Sequence, residues 1–205
     1  PLDWLSLGAS YRSEVRQDVN GDAEFDMPEG LGPDTTLDAK GTVNLPEQFM
    51  FGVAVRPIER LSVEADVVLT GWSSYDELRI EFDNGQTSQS TKNWNDVVRY
   101  QVGLEYAATE WLDLRLGYVY DNSPIDADFA DYMVPANDRQ LYCAGAGFKW
   151  GSWDLDVAYT YLQIKDRSVI VNVTRSEKPK LVDSQQADFE DGHAHIVSLS
   201  VGYAF

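Results

Sequence analysis

The chain has 205 residues, of which 24% are charged and 43% hydrophobic, and its formal net charge is −18. This composition excludes a disordered chain. The acidic balance argues against nucleic-acid binding, because phosphate contacts need clustered Lys and Arg. No run of about 18 apolar residues occurs, so a helical membrane span is excluded. Cys143 is the only cysteine, which excludes an intrachain disulfide and a thiolate metal cluster.

Eight segments alternate large apolar residues with small or polar ones, which is the period of a β-strand. In chain order the predicted strands are 5–12, 49–56, 61–70, 98–106, 112–120, 142–150, 154–161 and 195–205. Breaker residues predict long loops at 17–44, 72–95, 122–138 and 166–192, whereas 57–60, 108–110 and 151–152 are tight turns. Long and short connections therefore alternate along the whole chain.

The last strand, 195–205, carries its large residues on one side and ends on an aromatic residue, Phe205. About ten residues of tilted strand cross a bilayer. The alternative is the closing strand of a soluble β-sandwich, but a sandwich has no reason to sort its connections by length. A membrane barrel does, because its short turns lie on the periplasmic side and its long loops lie outside. The sequence therefore predicts an all-β protein, a transmembrane antiparallel up-and-down β-barrel.

The polar side of the predicted strands carries the charged residues, and the other side carries Leu, Val and Tyr. An Arg side chain near the bilayer midplane costs about 2–4 kcal/mol when it faces lipid. The charges are therefore expected to point inward and the apolar rows toward lipid. The inner side also holds many glycines, which favours a barrel wider than a self-filled eight-stranded one, or one with an internal plug. The six tryptophans are predicted near strand ends, at headgroup level.

Several short motifs follow one another over nearly the whole chain. They are Ser10-Tyr11-Arg12-Ser13-Glu14-Val15, Thr70-Gly71-Trp72-Ser73-Ser74-Tyr75-Asp76-Glu77-Leu78, Asn93-Trp94-Asn95-Asp96, Gly103-Leu104-Glu105-Tyr106, Arg115-Leu116-Gly117-Tyr118 and Pro135-Ala136-Asn137-Asp138-Arg139. In this order and spacing the chain resembles the C-terminal part of the FadL/TodX family of outer-membrane transporters for long-chain fatty acids and aromatic hydrocarbons.

The resemblance implies a 14-stranded monomeric barrel around an N-terminal plug. The chain, a single β-barrel domain over 1–205, would supply the last eight strands, and the signal peptide, plug and first six strands would precede it. The implied function is passive uptake of hydrophobic molecules through the bacterial outer membrane, without enzymatic activity or a cofactor. Implied partners are the apolar substrate, outer-membrane lipid and lipopolysaccharide, and the assembly machinery, which would bind the strand ending at Phe205. The alternative is a structural or adhesive eight-stranded outer-membrane barrel that binds through its loops.

Two groups of residues are candidates for ligand contact. In the resembled family an outer loop forms an apolar groove that first captures the substrate. The apolar members of this loop here are Phe25, Met27, Leu31 and Leu37, and the alternative is that they pack on one another. Arg56, Arg99 and Arg115 could meet a carboxylate head group in the lumen. Pairing of these arginines with lumenal Asp and Glu is the favoured alternative.

The sequence contains no signature of a catalytic or metal site. Neither a G-x-S-x-G elbow nor an H-E-x-x-H motif is present. His193 and His195 could share a metal on one strand face, but a ligand set needs further partners, and residues at the outer rim are the favoured interpretation. Asp126, Asp128 and Asp131 could hold Ca²⁺, although a solvated acidic loop is favoured.

Overall fold

The computed structural model of the protein describes residues 2–27, 33–130, 137–174 and 182–204. Its helices within these residues are two short 3-10 turns, Trp72–Ser74 and Ala127–Phe129. Neither turn is long or apolar enough to span a membrane. The remaining regular structure is β throughout.

Eight strands form one antiparallel sheet, called the main sheet below. In spatial order they are β1 (Leu5–Arg12), β4 (Gln48–Ile58), β5 (Leu61–Thr70), β8 (Val97–Ala107), β9 (Leu112–Asp121), β10 (Arg139–Trp150), β11 (Trp153–Ile164) and β14 (His193–Tyr203). Each strand pairs with its neighbour in the order of the chain, which is up-and-down topology. The eight predicted strands are confirmed, most of them to within one or two residues. The alternation of long and short connections is confirmed as well.

Three of the four long connections contain strands, so the prediction of loops there was wrong. The first connection holds β2 (Val15–Phe25) and β3 (Thr35–Leu45), and the second holds β6 (Glu77–Phe82) and β7 (Thr87–Thr91). These four form a separate sheet in the order β2-β3-β6-β7, called the outer sheet below. The fourth connection holds the hairpin of β12 (Arg167–Thr174) and β13 (Val182–Phe189).

The two strands of the first connection were not predicted, because they continue the β1–β4 hairpin beyond the main sheet. Arg12 lies opposite Gln48 at the end of the β1–β4 ladder, and Val15 lies opposite Leu45 at the start of the β2–β3 ladder. Two residues lie between the ladders on each strand, so the register does not change. Pro46, which has no amide hydrogen to donate, lies in this gap. The breaker residues in this gap therefore mark a short interruption between the β1–β4 ladder and the β2–β3 ladder.

The apolar rows of the main sheet face away from protein. Leu7, Val197 and Leu116 are 76%, 73% and 61% exposed. The buried apolar side chains among the described residues are only Val68, Ile125, Ala130 and Val169. Monomeric proteins in water rarely expose so many large apolar side chains together. The apolar rows are therefore not the dry interior of a sandwich, as the predicted orientation toward lipid requires.

Aromatic residues border the apolar surface at both ends of the strands. At the short-turn end Trp153 packs on Tyr203 with ring centroids 4.8 Å apart, and at the long-loop end Tyr118 packs on Tyr142 at 5.3 Å. Along β11, Trp153 and Tyr161 are separated by about 27 Å of strand. A tilt of about 40° reduces this to about 21 Å, close to the apolar band of about 25 Å in membrane barrels.

Two of the tryptophans lie away from this aromatic border. Trp72 and Trp94 lie beyond the main sheet, where their ring centroids are 5.0 Å apart. Both nevertheless lie near strand ends as predicted, since Trp72 follows the last residue of β5 by two positions and Trp94 precedes the first residue of β8 by three.

Candidate functional site

The outer sheet has one apolar and one polar face, because its residues alternate with the period of a strand. The apolar face carries Val15, Val19, Gly21, Ala23 and Phe25 of β2, Leu37, Ala39, Gly41, Val43 and Leu45 of β3, and Leu78, Ile80 and Phe82 of β6. A sheet in water has no need of an apolar face unless something apolar covers it. This face is therefore the first candidate for ligand contact.

A groove with a volume of about 430 Å³ runs over this face. It is lined by Val19, Gly21, Ala23, Ala39, Gly41, Val43, Leu78, Ile80 and Phe82, together with Asp22 and Lys40. Gly21 lies opposite Ala39 and Val19 lies opposite Gly41, so small residues of two strands meet in the middle. Larger side chains surround them, and Phe25 meets Phe82 edge to face at 5.7 Å. We call this feature the apolar groove.

The structure places two of the predicted capture residues on the same face as the apolar groove, although neither of them lines it. Phe25 and Leu37 lie on the apolar face, and Phe25 is 41% exposed. Met27 follows the end of β2, is 42% exposed, and its backbone N–H donates to Asp34 Oδ1 at 2.9 Å. Leu31 lies outside the described residues.

Sequence reasoning missed the β6 side of the groove. Ile80 and Phe82 join it because β6 pairs with β3, where Ala39 lies opposite Phe82. The available signal was Asn84-Gly85, a strong hairpin signature between two short alternating segments. Gly85 has a φ of 82°, as such a turn requires.

The opposite face of the outer sheet is polar and carries mixed charge. Asp18 accepts hydrogen bonds from the Thr42 hydroxyl at 2.7 Å and from Arg16 Nε at 3.3 Å. These two donors hold the pKa of the Asp18 carboxyl below its ordinary value. Arg79 pairs with Glu81 at 3.1 Å in the same way. The contrast between the faces makes the apolar face the one suited to hydrophobic ligands.

On the inner side of the main sheet Arg115 joins three strands. From β9 it donates to Glu105 of β8 at 2.7 Å and to Asp156 of β11 at 2.5 Å. The second contact crosses the intervening strand β10 above Gly147. A Cβ at Gly147 would lie 2.7 Å from Asp156 Oδ1 and 3.0 Å from Arg115 Nη1. Glycine at this position is therefore what lets the ion pair cross the strand.

Two further cations on the inner side are also neutralised. Lys149 pairs with Asp113 at 2.8 Å, and Arg139 pairs with Asp121 at 2.5 Å. Cross-strand pairing of lumenal charges is the arrangement that the sequence favoured. These ion pairs hold neighbouring strands together on the inner side of the main sheet.

The three candidate arginines differ in what they can offer a carboxylate. Arg115 is already shared between two acids. Arg56 is exposed, and its backbone N–H donates to the Trp4 carbonyl at 2.7 Å. Arg99 Nε is buried and has no hydrogen-bond partner in the described part of the chain, because Asp121 on the neighbouring strand pairs with another arginine. Of the three, Arg99 is the one with a buried N–H that lacks a partner among the described residues.

The Asp138 carboxylate joins β9, the connection that follows β9 and the residue after β11 at the long-loop end of the main sheet. It accepts hydrogen bonds from the Tyr120 hydroxyl at 2.8 Å, the Ser123 backbone N–H at 3.0 Å and Lys165 Nζ at 3.2 Å. Burial by itself raises the pKa of the Asp138 carboxyl. The three donors outweigh burial, and the net effect is a lowered pKa.

The connections also form a small apolar cluster beyond the main sheet. Ile125, Ala130 and Val169 are buried together, and Trp94, Ala187 and Phe189 pack against them. The cluster ties the second, third and fourth long connections to one another. Sequence reasoning missed it because its members come from three separate connections. Asp131 of the predicted calcium set lies outside the described residues, and Asp126 accepts from Asn95 at 2.8 Å.

An up-and-down sheet with apolar residues toward lipid and paired charges inside, topped by an apolar groove, defines a wall of a transmembrane transport barrel. The family model for outer membrane protein transport proteins (OMPP1/FadL/TodX) matches residues 1–205. The chain therefore belongs to this family, which confirms the resemblance and the location in the outer membrane. Members of the family are transport proteins.

Individual relatives agree with the family. A long-chain fatty acid transport protein of Escherichia coli O6:H1 is 27% identical over 216 residues, covering 97% of this chain and 46% of that protein. A crystal structure of a Pseudomonas aeruginosa FadL homologue has a TM-score of 0.82 at 21% identity, covering 99% of this chain and 50% of that one. The Pseudomonas putida toluene transporter TodX has a TM-score of 0.66 at 19% identity, covering 98% and 45%. The chain spans about half the length of the relatives it matches.

Proposed function

We propose that the chain forms part of an outer-membrane channel for passive uptake of hydrophobic molecules, either long-chain fatty acids or aromatic hydrocarbons. The observation that carries the proposal is the apolar groove on a sheet that extends beyond the lipid-facing strands. The names of the relatives support the substrate class, since one is a long-chain fatty acid transport protein and another a toluene transporter. The route involves no covalent step, nucleotide or cofactor.

The apolar groove is the proposed point of capture. Each methylene group removed from water contributes about 0.8 kcal/mol, so an eight-carbon segment contributes roughly 6 kcal/mol. Association itself costs about 4–15 kcal/mol at standard state. Binding in the groove is therefore weak and reversible, which suits a site that must release its ligand.

Arg99 is the proposed contact for a carboxylate head group. A buried donor without a partner gains more from an anion than an already paired one does. Toluene has no group to use this donor. Arg99 therefore matters for uptake of fatty acids and not for uptake of hydrocarbons.

The whole protein is proposed to be a monomeric 14-stranded barrel of which 1–205 is the C-terminal part. The lipid-facing rows would contact lipid, and the outer connections would contact lipopolysaccharide. Phe205, outside the described residues, is the proposed end of the strand that the assembly machinery binds.

The direct test is uptake by cells that lack such channels. Expression of the complete protein should raise uptake of labelled oleate, labelled toluene or both above that of the empty vector. Correct insertion is checked by surface labelling. A surface-labelled protein that raises neither rate refutes the proposed function.

A paired substitution tests the groove itself. Gly21→Asp places a carboxylate in the groove, and a Cβ at Gly21 meets nothing within 4 Å, so the backbone tolerates it. Asn20→Asp adds the same charge to the adjacent residue on the polar face. Uptake should fall several-fold for Gly21→Asp and stay unchanged for Asn20→Asp. Equal uptake by the two variants would exclude capture in the groove.

A further inference from the structure

His193 and His195 lie on the outward side of β14 at the long-loop end, and they are the only two histidines of the chain. Both are exposed, and their ring centroids are 5.6 Å apart. The Nδ1 atom of each ring is occupied. His193 Nδ1 lies 2.7 Å from the Asp191 carbonyl oxygen, and His195 Nδ1 lies 2.7 Å from the Tyr159 hydroxyl.

These contacts determine which nitrogens are free. A carbonyl oxygen can only accept, so His193 Nδ1 donates its proton and Nε2 of the neutral ring keeps its lone pair. The Tyr159 hydroxyl can accept from His195 Nδ1 and produces the same arrangement. Histidines that bind metals nearly always donate their second ring N–H to such a partner, which orients the ring.

The spacing of the rings suits a shared ion. A metal bound through Nε2 at about 2.0 Å lies about 3.2 Å from the ring centroid. Two such rings at a bond angle of about 110° have centroids about 5.2 Å apart. The observed 5.6 Å is within reach of a small side-chain adjustment. On a strand, residues two apart project from the same face.

We propose that His193 and His195 form an open, two-imidazole site for a divalent transition metal at the outer rim of the barrel. Imidazole nitrogen suits Cu²⁺, Ni²⁺ and Zn²⁺, with Cu²⁺ bound most tightly, whereas Mg²⁺ and Ca²⁺ prefer oxygen. Water completes the coordination shell. Tyr159 is a positioning residue, since it orients His195 and does not touch the ion.

The test uses Cu²⁺ on the complete protein in detergent micelles, purified without a polyhistidine tag. Calorimetry should show one Cu²⁺ per protein, and electron paramagnetic resonance should show two imidazole nitrogens. His193→Gln or His195→Gln should weaken binding at least tenfold and leave one nitrogen. Tyr159→Phe should weaken binding up to tenfold and leave two nitrogens.

The matched reference is the double variant His193→Gln/His195→Gln, which lacks both imidazoles of the proposed site. Unmodified protein that binds Cu²⁺ within threefold of this variant overturns the proposal. Because the nitrogen count is read on the unmodified protein, a spectrum without two imidazoles overturns it even if the variants fail to fold.

Discussion

Replacing Gly147 by alanine should break the ion pair that crosses β10. The added methyl group would lie 2.7 Å from Asp156 Oδ1, so the carboxylate must move away from Arg115. The side chains of this pair are 41% and 46% exposed, and pairs screened by solvent to this extent contribute about 0.2–1 kcal/mol. Alanine is favoured over glycine within a strand by about 0.5 kcal/mol. The net loss of stability should therefore be small, at most about 0.5 kcal/mol.

A double-mutant cycle separates these two effects. In protein that already carries Asp156→Ala, the Gly147→Ala substitution should no longer cost stability and should add about 0.5 kcal/mol. The difference between the two backgrounds, about 1 kcal/mol at most, is the coupling energy. Urea unfolding in lipid vesicles, followed by tryptophan fluorescence, measures it. Gly103→Ala is the matched control, because a Cβ there meets nothing within 4 Å. Equal effects of Gly147→Ala in both backgrounds would refute the reasoning.

Three further substitutions test the other sites. Gly21→Asp should lower uptake of oleate and toluene several-fold where Asn20→Asp does not, as measured with labelled substrates. Arg99→Gln should lower uptake of oleate more than uptake of toluene, and an equal loss of both would remove its role as a carboxylate contact. The lowered pKa of Asp138 means that its contribution to stability is present above about pH 4 and is lost as pH falls through the lowered value. Asp138→Asn should therefore cost about 1.5–3 kcal/mol in urea unfolding at pH 7 and less near pH 3, and a loss independent of pH would contradict this.

The main sheet was predictable because each of its strands faces two different environments. In β9, for example, Leu114 and Leu116 face lipid while Asp113 and Arg115 face inward. Lipid excludes charge so strongly that the alternation survives in the sequence almost without exception. Where two of these strands are joined by a short turn, the turn residues fix the end of one strand and the start of the next.

The outer sheet was not predictable by the same reasoning. Its polar face lies in water and its apolar face contains glycine and alanine, so the contrast between alternate residues is weak, as at Gly21 and Asn20. Breaker residues are also frequent on both sides of its strands. The apolar groove needs the pairing of β3 with β6, which joins Gly41 to Ile80. A contact between residues so far apart in the chain produces no periodic pattern in the sequence from which it could be predicted.

The glycines of the inner side have more than one cause, so their number does not measure the width of the barrel. Gly147 makes room for an ion pair, and a Cβ at Gly52 would overlap the Asp66 carboxylate. These two would be needed in a narrow barrel as much as in a wide one. Gly8 and Gly103 differ, because a Cβ at either meets nothing within 4 Å. A wide or plugged interior is therefore indicated by Gly8 and Gly103 and not by the total number of glycines. At these two positions an enclosed partner or free space accounts for the missing side chain.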